Sequence, residues 1–102
     1  MADEDGDGAN QSATDNVYIG SSAGRYLDDG AYNVIIGKDA GKSSSGTQRN
    51  LTKSVIIGYQ SGYVMTTGDS STIIGYQAGL DLTTANSNVL YGYRSGYNLT
   101  TG

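Results

Sequence analysis

Five times after residue 15 the chain returns to a short apolar cluster closed by glycine: Asn16-Val17-Tyr18-Ile19-Gly20, Asn33-Val34-Ile35-Ile36-Gly37, Ser54-Val55-Ile56-Ile57-Gly58, Ser71-Thr72-Ile73-Ile74-Gly75 and Asn88-Val89-Leu90-Tyr91-Gly92. The closing glycines are 17, 21, 17 and 17 residues apart, and a second set, Gly24, Gly41, Gly62, Gly79 and Gly96, follows four residues behind them. Self-similarity at a fixed period marks stacked structural units, each unable to bury its own apolar side alone. The repeats occupy 16–32, 33–53, 54–70, 71–87 and 88–102 and form one repeat domain, 16–102, preceded by an arm over residues 1–15. The single 21-residue interval holds extra residues in the polar stretch 43–53, expected to bulge as a loop without disturbing the phase.

A helix is a poor reading of such a unit, because glycine and β-branched residues both disfavour a helix interior. Short strands bounded by turn residues fit, with Val-Ile-Ile-Gly as strand and Thr66-Thr67-Gly68-Asp69-Ser70 as a corner before the next coil. The expected fold is all-β: a short parallel β-solenoid, or β-roll, of five coils of about 17 residues. At a strand spacing of about 4.8 Å its body would be on the order of 20 to 25 Å long.

Neighbouring side chains on a strand point to opposite faces, so three apolar residues in a row make both faces of every repeat apolar. With Val34 and Ile36 assigned to the coil interior, the column Tyr18, Ile35, Ile56, Ile73 and Leu90 falls outside. A continuous apolar stripe of that kind marks an interface, and closed cyclic symmetry is the common way to bury it. The column is therefore expected to hold a homotrimer together.

Composition limits the chemistry. There is no Cys, His or Pro, hence no disulfide framework, no thiolate metal site and no imidazole for acid–base work near neutral pH. The carboxylates of the body are scattered apart from Asp28-Asp29, which suits a turn better than a paired acid–base role. No enzyme activity and no cofactor are expected. No apolar run approaches the roughly 18 residues that span a bilayer, and the acidic N-terminus is unlike a basic signal sequence, so the reading is a soluble, uncleaved chain without membrane insertion.

The net charge of −4 is unevenly placed. The arm carries Asp3, Glu4, Asp5, Asp7 and Asp15 with no base, whereas Arg25, Lys38, Lys42, Arg49 and Lys53 lie in the first two repeats. A few separated cations suit a protein partner or a neighbouring subunit better than nucleic acid. The arm has too little apolar surface to fold alone and is read as an attachment device.

Several local patterns have both a sharp and a plain reading. Asp3-x-Asp5-x-Asp7-Gly8 begins like a calcium loop, but Thr14 stands where a bidentate Glu is expected; the plain reading is an acidic docking arm, and no metal site is assigned. Gly37-Lys38-Asp39-Ala40-Gly41-Lys42-Ser43 has three residues between its glycines where a phosphate loop needs four, and both glycines belong to the repeat. Three Asn-x-Ser/Thr sites, at Asn10, Asn50 and Asn98, read as composition alone without a secretory signal. Tyr59, Tyr76 and Tyr93, with Tyr63, Leu80 and Tyr97 beside them, should stack as ladders at strand spacing. The alternatives are a sugar-binding or ice-binding face, with the threonine pairs at 66–67, 83–84 and 100–101 able to present only one column to it. Arg94, in place of Gln60 and Gln77, makes the last repeat cationic as well as aromatic and suits an exposed tip together with Tyr93 and Tyr97.

The repeats resemble the head repeats of trimeric autotransporter adhesins, whose Asn-Ser-Val-Ala-Ile-Gly units build a trimeric left-handed β-roll. They resemble more closely the Asn-Val-x-Ile-Gly-Tyr-x-Ala-Gly-Tyr-x-x-Thr-Thr-Gly repeats of bacteriophage fibres and other virion structural proteins, over residues 16–102. The 17-residue unit is longer than the usual adhesin unit, and the chain shows no neck, coiled-coil stalk or anchor sequence. The resemblance implies a non-enzymatic virion protein made in the host cytoplasm, above all a phage capsid decoration or cement protein at the virion surface. The alternatives are a tail-fibre or adhesin segment that binds host surface glycans and an ice-binding β-solenoid.

Overall fold

Three-residue strands recur at each apolar cluster because the following glycine turns the chain at once. In the computed structural model, which describes residues 15–25, 27, 30–42 and 50–101, these strands are β1 (Val17–Ile19), β2 (Val34–Ile36), β4 (Val55–Ile57), β6 (Thr72–Ile74) and β8 (Val89–Tyr91). They form one parallel sheet in the order β1-β2-β4-β6-β8, with Tyr18, Ile35, Ile56, Ile73 and Leu90 in register. The 21-residue interval is absorbed without loss of phase, since Val34 still pairs with Val55. The extra residues at 43–49 lie outside the described residues.

The segment expected to be a corner is itself a strand. β3 (Asn50–Thr52), β5 (Thr67–Asp69) and β7 (Thr84–Asn86) build a second parallel sheet, and bridges from Ala31 to Thr52 and from Thr84 to Thr101 continue its register at both ends. The architecture is a parallel β-solenoid of about four turns, 31 Å in its longest dimension.

The outer column assigned from the sequence is in fact the core. Ile35, Ile56 and Ile73 are 0% exposed and Tyr18 is 4%, with Leu90 packed against them. Val17, Val34, Val55, Thr72 and Val89, together with Ile19, Ile36, Ile57, Ile74 and Tyr91, turn outward instead. In a three-residue strand the central side chain points into the coil and the two flanking ones point away. A coil this narrow takes one large side chain from that strand, and Leu27, Leu51, Met65 and Leu82 fill the remainder. Leu51 is the large member of a column that elsewhere holds Gly68 and Ala85.

A buried polar ladder fixes this parity. Asn33 Nδ2 donates to Leu51 O at 2.6 Å, and Ser54 N–H donates to Asn33 Oδ1 at 2.9 Å. Asn33 N–H in turn donates to Asn16 Oδ1, and Ser71 N–H and Asn88 N–H donate to Ser54 Oγ and Ser71 Oγ. Each ladder residue lies two positions before the central strand residue, hence on the same inward face. In the first four coils its amide or hydroxyl pairs with buried backbone groups of the corner, whereas Asn88 Nδ2 is buried without a hydrogen-bond partner among the described residues.

Candidate functional site

The two outward faces differ in chemistry. On the second sheet, Thr52, Asp69 and Asn86 form one outward column and Thr67, Thr84 and Thr101 another, with Thr52 Oγ1 donating to Asp69 Oδ1 at 2.7 Å. Of each threonine pair only one member reaches this face, as expected from strand alternation. The Thr66 and Thr83 hydroxyls donate to the Thr83 and Thr100 carbonyls of the next coil. On the first sheet the outward side chains are Val and Ile except for Thr72 and Tyr91, which carry hydroxyls. The rod therefore has a wettable face and an apolar face running along all five strands.

Around the glycine corner from the apolar face lies the tyrosine ladder. The rings of Tyr59 and Tyr76 stack with centroids 5.4 Å apart and those of Tyr76 and Tyr93 at 5.3 Å. Stacking hides the interior ring faces, so the ladder offers edges and hydroxyls along its length. Tyr93 is the most open of the three, at 71% exposed.

Beside it runs a second ladder of side chains whose backbones are all left-handed: Asp39, Gln60, Gln77 and Arg94, with φ between 53° and 60°. Gln77 Nε2 donates to Gln60 Oε1 at 2.8 Å, and Arg94 Nε donates to Gln77 Oε1 at 2.9 Å. The Arg94 guanidinium lies over the Tyr97 ring at 4.5 Å and the Tyr93 ring at 5.6 Å. Residues Tyr59, Tyr76, Tyr93, Arg94 and Tyr97, singled out from the sequence, are thus brought together. Lys42 stands over Tyr63 at 5.4 Å in the column that leads to Tyr97.

At the other end Lys38 Nζ donates to Asp39 Oδ2 at 3.0 Å, and that bond, with the carboxylate charge, raises the lysine above its ordinary value of 10.5. The pair's contribution is fully present below the ordinary lysine range and is lost only as pH rises through the raised value. It leaves stability flat across neutral pH. Solvent screening of the exposed Lys38 ammonium keeps the pair weak, although Asp39 is largely buried.

Of the attachment residues, Asp15 is exposed, while Asp3, Glu4, Asp5 and Asp7, with the calcium-like pattern, lie outside the described residues, as does Asp28-Asp29. Among the described residues no cluster of three or more acidic side chains could hold a metal ion, and no helix is long and apolar enough to cross a membrane. No protein-family model, curated protein or solved structure matches the chain. Apolarity alone does not single out the Val and Ile columns as the outward pair; Thr72, a polar residue in one of those columns, is the signal that does.

Proposed function

We propose that this protein is a non-enzymatic structural component of a virion, a phage capsid decoration or cement protein in which three chains assemble through their apolar sheet faces. One observation carries this reading: the outward columns Val17, Val34, Val55, Thr72, Val89 and Ile19, Ile36, Ile57, Ile74, Tyr91 run along all five strands of the first sheet and are Val or Ile except at Thr72 and Tyr91. A long apolar patch facing water is a docking surface, and identical patches on identical chains meet most simply in a closed ring. The resemblance of the repeats to virion fibre proteins favours three chains and a particle surface, where a short rod would project as a knob.

The acidic arm, residues 1–15, is the attachment device in this reading, with a capsid or other virion protein as its partner. Nucleic acid is disfavoured as a partner by the net charge of −4. Deleting residues 1–15 is expected to leave the β-solenoid folded and assembled while abolishing its incorporation into the particle, scored by electron microscopy of particles formed with either form. Equal incorporation of the truncated chain would place the attachment site on the body. Absence of the full-length protein from every particle would overturn the virion role.

A further inference from the structure

The last described coil holds an arginine that is positioned but not neutralised. Arg94 occupies the column of Gln60 and Gln77 with the same left-handed backbone, φ 54° against 55° and 53°, so the fold has no need of a cation there. Its Nε–H is spent on Gln77 Oε1, which fixes the plane of the guanidinium, and the Tyr97 and Tyr93 rings flank it. Its Nη groups make no hydrogen bond or ion pair among the described residues. A guanidinium held on one edge and stacked on aromatic rings is ready to donate two parallel bonds from its remaining edge.

We propose that Arg94, with Tyr93 and Tyr97, forms a binding site for a saccharide bearing a single carboxylate. A carboxylate matches the two-pronged guanidinium in shape and charge. One fixed cation on a chain of net charge −4 does not suit a polyanion, which long-range repulsion would hold off. The rest of the site is an open aromatic platform rather than an apolar slot: Tyr93 is 71% exposed and presents ring surface and a hydroxyl. That surface suits the C–H groups and hydroxyls of a pyranose better than a buried peptide anchor. The site lies across the Gly92 corner from the apolar face and does not rest on the attachment role proposed above.

The full chain is titrated with 3′-sialyllactose, a glucuronate-terminated trisaccharide, neutral lactose and a short blocked peptide with one carboxylate, following binding by saturation-transfer NMR. At least one acidic saccharide is expected to bind, at least about tenfold more tightly than lactose or the peptide, as fits the loss of hydrogen bonds to a charged group. Arg94→Gln restores the residue that the preceding coils carry and should keep the circular dichroism of the wild type while weakening that binding by about tenfold or more. Tyr97→Leu, which copies Leu80, should weaken it less. Equal binding of lactose and the acidic sugars, equal binding of the peptide, unchanged binding by Arg94→Gln, or no binding of either acidic saccharide at 10 mM (an on-the-order-of ceiling for a single such contact) would each overturn the proposal.

Discussion

Backbone conformation at single residues sets how closely the coils stack. Gly58 has φ 133°, and a Cβ built on it would lie 2.5 Å from Gly75 O of the next coil. Gly92, with the same φ, would meet nothing within 4 Å. Comparing alanine at the two positions separates the two causes. Gly92→Ala should cost only the strain of an unfavourable φ, about 1–3 kcal/mol, whereas Gly58→Ala must also push two coils apart. The expected outcome is a folded Gly92→Ala with a lowered Tm and a Gly58→Ala that loses its β-sheet circular dichroism. At exposed Lys53 the backbone is left-handed, φ 53°, with its N–H given to Ala31 O. Relief of a side-chain clash of about 1–2 kcal/mol, offset in part by the greater freedom of glycine when unfolded, should make Lys53→Gly more stable by about 0.5–1 kcal/mol in urea titration.

At the scale of the strand, the period of the repeat made the fold legible but its parity was not. Fixed spacing, β-branched clusters and paired glycines are enough to read stacked parallel strands, since few other folds tolerate two glycines in every 17 residues. Which of three adjacent apolar residues points inward is degenerate by apolarity alone, because a one-residue slip exchanges the faces. Two features break the degeneracy. Thr72 belongs outside, and the Asn16, Asn33, Ser54 and Ser71 column, two positions before the central residue, acts as an inward hydrogen-bonding post.

The stacked tyrosines were readable from the repeat for the same reason, since identical side chains one coil apart must adjoin. The bond from Arg94 to Gln77 was not, because it depends on the left-handed corner that aligns both side chains. The ladder can be tested directly. Asn33→Ala removes its bonds to Leu51 O and Ser54 N; Leu51 O keeps the Ala31 N–H but the buried Ser54 N–H is left unpaired, so a loss of about 1–3 kcal/mol is expected. Asn33→Ser, which copies Ser54 and Ser71, should lose about half as much, by urea denaturation of both variants.

For the whole molecule, the inward column holds one chain together, and in the proposed assembly the outward columns join chains. Ile56 is fully buried within its own coil, and a lysine there would bury an unpaired charge, so Ile56→Lys should unfold the chain. Its neighbour Ile57 points away from the coil, and Ile57→Lys should leave the coil intact while preventing association. The mass in solution tests the apolar face most directly: light scattering on the wild-type protein and Ile57→Lys at micromolar concentration, with circular dichroism to confirm the fold. A wild-type particle of three chains, each of 10.6 kDa, and a folded single chain for Ile57→Lys are expected. A wild-type protein that scatters as one 10.6 kDa chain would contradict that assembly.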